Sequence, residues 1–196
     1  RRLIKVRTND AVKVEREDQS ADFSAAPVVE DLRAVQPVEV DVAVWQEAAR
    51  DASAVLLDFE QVYDSNVTYR MQDEVHLMVD SDGTTIRYQR PHARVSVWAT
   101  TIAEDGMELG VYDYVDVTTP SKLPDAAALA AMARRVGEQV EALRAAPLVD
   151  PYNGPAILRG RAAAVFFHEI LGHRVEGHRQ KDEDEGQTLT DKVGEQ

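Results

Sequence analysis

The hydrophobic pattern of this chain changes its period near residue 67, and this change constrains the fold more than any other feature. Between Val67 and Val117 apolar and polar residues alternate, which is the period of half-buried β-strands. The turn sequence Asp80-Ser-Asp-Gly83 separates two such runs, and Glu104-Asp-Gly106 precedes a further one. Short turns of this kind join neighbouring antiparallel strands. The pattern therefore predicts an antiparallel meander.

Segments with a helical period lie on both sides of this meander. Asp41 is suited to cap a helix that runs to about Tyr63, and Pro124 precedes a second helix from about Asp125 to Arg144. In each segment apolar residues recur at three and four positions, which makes one stripe that faces a core. The predicted fold class is α+β, with helices packed on a largely antiparallel sheet.

The two ends of the chain have less regular patterns. A strand is expected at Arg1–Arg7, and the polar, proline-interrupted segment Asp18–Pro37 is expected to be a loop. A short strand at Ala156–Leu158 is expected to follow a linker. Three domains or segments are predicted: an N-terminal strand and loop (1–40), an α+β domain (41–150) and the start of a metal-motif region (151–196).

Composition excludes several classes of function. A formal charge of −13 opposes binding to nucleic acid, which requires a basic surface. The absence of cysteine excludes a disulfide framework. No apolar run approaches the ~20 residues that span a bilayer. The expected partners therefore include neither nucleic acid nor a membrane. The fraction of hydrophobic residues, 44%, is that of an ordinary globular chain.

The candidate metal-binding and catalytic side chains lie in residues 168–173, which read His-Glu-Ile-Leu-Gly-His and follow the apolar run Ala162–Phe167. Two imidazoles and a carboxylate at the end of an apolar helix indicate a metal site. Neutral imidazole nitrogen is a common zinc ligand, and an adjacent carboxylate that does not bind the metal can accept a proton from water. The predicted fold thus leads into a metal-motif helix.

The spacing of the two histidines is not that of a regular helix. His173 follows His168 by five residues, so the two side chains are offset by about 140° in an α-helix, against about 40° for a spacing of four. A π-type turn would bring them together, and so would a helix that ends near Gly172. The alternative is a helix C-terminus where histidines are favoured by the macrodipole and Glu169 is solvated.

The sequence around the motif resembles a known family. Residues 160–179 are similar to the metallopeptidase signature of the TldD/PmbA family, also called modulators of DNA gyrase or peptide-maturation proteases. Residues 150–158 resemble the strand that leads into this signature, and Gly186–Glu195 resembles the segment after it. The resemblance is dense over 147–196 and looser over 41–146. Because the chain contains the motif, it resembles the TldD-type member of the family rather than the PmbA-type.

The resemblance implies a function and a ligand set. It implies a zinc-dependent peptidase that hydrolyses peptides or unfolded segments in the cytoplasm, with His168 and His173 as zinc ligands and Glu169 as general base. It also implies an oligomer, either of the chain itself or with a PmbA-type partner. The third ligand of the family is a cysteine in a C-terminal β-rich domain, and these 196 residues contain no cysteine. The chain is therefore expected to be an N-terminal fragment that is inactive alone.

Three alternatives accompany this interpretation. His178 is either a substitute third ligand or a surface side chain in a polar run, and the surface interpretation is favoured. The acidic run Asp182–Glu185 is interpreted as an exposed loop rather than a cation site. The alternative function is a non-catalytic peptide-binding or assembly module in which the motif helix serves only as a scaffold.

Overall fold

The computed structural model of the protein describes residues 25–180 together with 188, 189, 192 and 194. Residues 26–149 form one compact unit, and the described residues from Asp150 onward belong to a second unit. The strand expected at Arg1–Arg7 and the acidic run Asp182–Glu185 lie outside the described residues. In the part of the chain that is described, no helix has the length and apolarity needed to cross a membrane.

A mixed sheet of four strands forms the base of the larger unit. The strands are β1 (Glu30–Leu32), β2 (Asp64–Val79), β3 (Thr85–Ile102) and β4 (Glu108–Val117). β3 pairs antiparallel with β2 over nearly its whole length, and its second half pairs antiparallel with β4. The predicted meander is therefore confirmed, and with it the α+β class.

β1 was not predicted, because it lies within the segment Asp18–Pro37 that was expected to be a loop. It pairs parallel with the start of β3, with Glu30 opposite Thr85. Three residues are too few to show a period of two, so the pairing depends on a neighbouring strand that is distant in sequence. Gln36 continues this contact beyond β1, since its backbone N–H donates to Oε1 of Gln89 at 2.8 Å.

Two long helices cover one face of the sheet: α1 (Val42–Val55) and α2 (Ala126–Ala145). Asp41 caps α1 by accepting hydrogen bonds from two N–H groups of the first turn, at 3.0 and 3.2 Å. Asp125 caps α2 in the same way, with an oxygen 2.8 Å from a first-turn nitrogen. Both caps satisfy N–H groups that have no partner inside a helix. The predicted starts of both helices are confirmed.

The predicted end of α1 is wrong. The apolar spacing continues to Tyr63, but α1 ends at Val55, and Leu56–Asp58 form a 3₁₀ turn. The N–H of Tyr63 donates to the carbonyl of Thr100 at 3.0 Å, which extends the pairing of β2 with β3. Tyr63 therefore pairs with β3, although its spacing from the apolar residues of α1 would also fit a helix.

The core lies between the two helices and the second half of β3. It combines small residues of α1 with branched residues of β3 and a row along α2, all of which are buried. Its members are Ala48, Ala52, Leu56, Val95, Val97, Ala99, Leu129, Met132, Ala133, Val136 and Val140. The alternate positions of β3 that were predicted to be half-buried thus form the floor of this core.

Gly137 permits the chain that follows α1 to pack closely against α2. The residue is buried in the middle of α2, and the ring of Phe59 lies over it. A Cβ at this position would stand 2.8 Å from Cγ of Phe59 and closer still to Cδ2 and Cε2 of that ring. Carbon atoms pack best at about 3.5–4.0 Å, so the contact requires a residue without a side chain.

The hairpin of β2 and β3 extends beyond the part that the helices cover. This outer hairpin, residues 72–92, includes the turn at Asp80–Gly83 and pairs on one side only with the three residues of β1. Its apolar side chains Val75, Leu77 and Val79 are 50%, 66% and 65% exposed. Among the described strands, β2 pairs with β3 alone, so its other edge carries backbone groups that no described strand satisfies.

The second unit contains the motif helix. α3 covers Gly160–Phe167 and is followed by a π-helical turn at His168–Gly172 and a 3₁₀ turn at His173–Val175. The short strand predicted at Ala156–Leu158 is wrong, because the segment is not a strand, no described strand pairs with it, and Ile157 is 90% exposed. A strand requires a neighbour with which to share backbone hydrogen bonds.

Candidate metal centre

A π-helical turn brings the two histidines of the motif to one point. The N–H of His168 still donates to the carbonyl of Ala164, as in an α-helix, whereas the N–H of His173 donates to the carbonyl of His168, five residues earlier. The extra residue in the turn offsets the rotation that a spacing of five would impose. The irregular turn predicted from the spacing is therefore confirmed, and it is the π-type alternative.

The imidazoles of the motif converge on the carboxylate between them. The ring centroids of His168 and His173 are 4.4 Å apart, with the rings nearly perpendicular. Nε2 of His168 lies 4.0 Å from Oε1 of Glu169, and Nε2 of His173 lies 3.9 Å from Oε2 of the same carboxylate. The Nε2 atoms are thus the nitrogens that point toward the shared space.

The geometry of these three side chains fits a single metal ion. One ligand atom from each of them lies within 4.8 Å of the others, and among the described residues no other group of histidine and acidic side chains meets this criterion. Two nitrogens bound to zinc at about 2.0–2.1 Å lie at most about 4.2 Å apart. The bound of 4.8 Å is close to this limit, so the spacing of the ligand atoms is compatible with one shared ion.

His173 has a further partner that sequence reasoning did not single out. Its Nδ1 lies 3.0 Å from Oε1 of Glu176, whose other oxygen accepts a hydrogen bond from Nε of Arg179 at 2.7 Å. Burial alone would raise the pKa of Glu176, but the hydrogen bonds from His173 and Arg179 outweigh it and lower the pKa below its usual value. The i,i+3 spacing of His173 and Glu176 was the available signal, since such residues share a helix face.

Exposed apolar side chains surround the motif. Those of α3 and the π turn are between 41% and 59% exposed: Val165, Phe166, Phe167, Ile170 and Leu171. His168 and Glu169 are themselves exposed, with 60% and 61% of their side-chain surface accessible. Apolar surface of this density around polar chemical groups is typical of a site that meets a peptide or another protein.

The other histidines lie apart from this centre. The side chain of His178 is 68% exposed, its Nε2 is 3.8 Å from Oε2 of Glu176, and it is not part of the group of ligand atoms at the motif, which agrees with the surface interpretation. His76 stacks on Tyr88 within the outer hairpin, and His92 forms an ion pair with Asp116 at 3.0 Å. Both histidines are therefore engaged in contacts of the larger unit.

A model of one known protein family matches the larger unit. The model described as the PmbA/TldA metallopeptidase central domain matches residues 19–144, which span the sheet, α1 and all but the last residue of α2. This match covers more than half of the chain, so the protein belongs to the TldD/PmbA family of metallopeptidases. No curated protein and no solved structure matches the chain significantly.

The family match and the metal motif are separate observations, because the matched residues end before His168. Membership in the family is shown by the central domain, and it assigns the chain to a metallopeptidase superfamily. The ligand geometry comes from the π turn and its three side chains. The two observations point to the same chemistry from different parts of the chain.

Proposed function

We propose that this protein is a zinc-dependent metallopeptidase of the TldD type that hydrolyses peptides or unfolded segments. The observation that carries the proposal is the convergence of His168, Glu169 and His173 at the π turn, with their ligand atoms within 4.8 Å of one another. Membership of a metallopeptidase family supports it independently. A scaffold role alone would not require the two Nε2 atoms to face a common space.

In the proposed site, His168 and His173 hold the zinc through Nε2. Zinc held there supplies Lewis acidity toward a peptide carbonyl and makes water nucleophilic near neutral pH. Glu169 accepts one proton from the attacking water as the oxygen–carbon bond forms. It then delivers this proton to the amide nitrogen as the carbon–nitrogen bond breaks, so its carboxylate is regenerated.

The third protein ligand is proposed to come from outside these residues. A catalytic zinc usually has three protein ligands, and the chain offers two imidazoles at the motif and no cysteine. The family resemblance implies a cysteine for this role. Glu169 is assigned to proton transfer rather than to binding the metal.

The proposal is tested with the substitution Glu169→Gln in the full-length protein. Zinc content is expected to remain unchanged, while peptidase activity is expected to fall by about 10²–10⁴-fold, the usual cost of losing a general base. Glu74→Gln is the matched control, because Glu74 also lies beside a histidine, 3.2 Å from His76, but far from the motif in sequence. Near-normal turnover of the Glu169 variant with zinc bound would remove this residue from the mechanism, and loss of zinc would recast it as a ligand.

We also propose that the full-length protein acts in the cytoplasm as an oligomer, either with itself or with a PmbA-type partner. The exposed apolar side chains around the motif support this, because a partner subunit would cover them and seclude the site from folded proteins. Light scattering measures the oligomeric state, and a peptidase assay at the same concentration measures the activity. A protein that is monomeric at micromolar concentration and still cleaves peptides would contradict the oligomer.

A further inference from the structure

The two ring nitrogens of His173 have different neighbours. Nε2 faces Glu169 and is 3.9 Å from its nearer oxygen, which is beyond hydrogen-bonding distance. Nδ1 lies 3.0 Å from Oε1 of Glu176, which is within that distance. Only one of the two nitrogens is therefore engaged in a hydrogen bond with a carboxylate.

The carboxylate of Glu176 is itself held in position. Its second oxygen accepts a hydrogen bond from Nε of Arg179 at 2.7 Å, and its backbone carbonyl accepts one from Nε2 of Gln180 at 3.2 Å. The side chains of His173, Glu176 and Arg179 are each about one-third exposed, at 33%, 35% and 29%. Both oxygens are thus engaged, which defines the orientation of the carboxylate toward His173.

This arrangement determines which nitrogen of His173 carries the proton. An ionised carboxylate only accepts hydrogen bonds, so Nδ1 must be the donor. A neutral imidazole has one ring proton, and with that proton on Nδ1 the lone pair of Nε2 is available. The available lone pair is then on the nitrogen that faces the motif carboxylate, 3.9 Å from Oε2 of Glu169.

We propose that Glu176 is a positioning residue that holds His173 as its Nδ1–H tautomer and thereby directs Nε2 toward the metal. The metal-binding part of this inference rests on the proposed function, whereas the tautomer is a property of the metal-free chain. A histidine side chain in water prefers the Nε2–H tautomer, which cannot bind a metal through Nε2. Loss of such an outer partner typically weakens metal affinity by about 10–100-fold.

The tautomer is tested by nitrogen NMR of the imidazoles in the complete 196-residue chain without metal, at a pH where they are neutral. In the wild type, Nε2 of His173 is expected to show the downfield resonance of an unprotonated ring nitrogen. In Glu176→Ala, the Nε2–H form is expected to dominate. A wild-type His173 protonated at Nε2, or a tautomer that is unchanged in Glu176→Ala, would overturn the inference.

A second variant separates the hydrogen bond from folding. Glu176→Gln keeps the size of the side chain but has a single oxygen, which is expected to accept from Arg179 because arginine only donates hydrogen bonds. The amide NH2 then donates to Nδ1, so Glu176→Gln is expected to convert His173 to its Nε2–H form even if Glu176→Ala does not fold. If Glu176→Gln is folded and His173 keeps its Nδ1–H form, the carboxylate does not set the tautomer and the inference fails. Glu74→Ala is the control, since it removes a carboxylate beside His76 and is expected to leave the His173 signals unchanged.

Zinc titration followed by the same resonances tests the consequence for the metal. Zinc affinity is expected to fall by about 10–100-fold in Glu176→Ala and also to fall in Glu176→Gln, because both variants lose the acceptor for Nδ1–H. Equal zinc affinity in the wild type and Glu176→Ala would overturn the metal-directing role. A full-length protein with the expected tautomers and zinc affinities but no peptidase activity would refute the proposed function and leave this inference standing.

Discussion

Substitution of Gly137 by alanine sets two effects of known size against each other. Alanine is favoured over glycine in the middle of a helix by about 0.8–1.0 kcal/mol. The added Cβ would meet Cγ of Phe59 at 2.8 Å and two further ring carbons at shorter range. Overpacking of this kind costs about 1–3 kcal/mol, because the rigid ring must move as a whole. The overpacking is expected to win, so Gly137→Ala should lower the free energy of unfolding by up to about 2 kcal/mol.

Urea denaturation followed by circular dichroism measures this difference, and a double-mutant cycle assigns its cause. In a Phe59→Ala background the obstacle is gone, so Gly137→Ala should stabilise the protein by about 0.8–1.0 kcal/mol. Ala131→Gly, at an exposed position of the same helix, calibrates the propensity term. A Gly137→Ala protein that is more stable than the wild type, or a cycle in which the two changes are additive, would refute the reasoning.

Three further predictions concern the motif and the sheet. The isolated 196-residue chain is expected to hold substoichiometric zinc after dialysis and not to cleave peptides; tight equimolar zinc would instead make His178 a ligand. Deletion of Ile170 reduces the spacing of the two histidines to four residues, so a regular helix should still present both of them to zinc. An alanine inserted after Ile170 increases the spacing to six and should abolish zinc binding, as measured by zinc titration of both variants. The hydrogen bond from Arg94 lowers the pKa of Asp116 below its usual value of about 3.9, so this pair stabilises the fold above that pH. Its contribution is lost as the pH falls through the lower, folded-state pKa, and Asp116→Asn should reduce this acid-side dependence in pH-resolved thermal unfolding.

Local patterns predicted the meander and the helix starts because the residues involved act within a few positions of one another. The turn at Asp80–Gly83 illustrates this, since Oδ1 of Asp80 accepts hydrogen bonds from the N–H groups of Asp82 and Thr84 at 3.0 and 2.9 Å. Gly83 has a φ of 103°, which a residue with a side chain rarely adopts. Such contacts are encoded by adjacent residues, so they can be inferred without knowledge of the fold.

The errors concern segments whose state depends on distant partners. β1 is stabilised by its parallel pairing with the start of β3. The segment Ala156–Leu158 is not a strand, and no described strand pairs with it. α1 ends at Val55, and Tyr63, whose spacing continues the apolar stripe of α1, pairs with Thr100 across the sheet instead. In each case tertiary contacts decide between two states that the local sequence permits.

The site was predictable in its residues and in part of its geometry. The spacing of His168 and His173 required an irregular turn if both were to share an ion, and the π turn is one of the two forms expected. The spacing could not select between them, because a break at Gly172 would have satisfied the same requirement. Glu176 was overlooked because its role depends on which nitrogen of His173 it meets, which only coordinates reveal.

Only the second half of β3 is covered by the helices and paired on both sides with long strands, so the two halves of this strand are expected to differ in local stability. From Ala93 to Thr100 it is flanked by β2 and β4 and lies under the helices, so its amides can exchange with solvent only when the whole unit unfolds. In the outer hairpin, two strands with little cover are marginally stable, and they can separate while the core stays intact. Amide exchange and proteolytic cleavage in the larger unit should therefore begin around the turn at Asp80–Gly83 and stop short of Ala93.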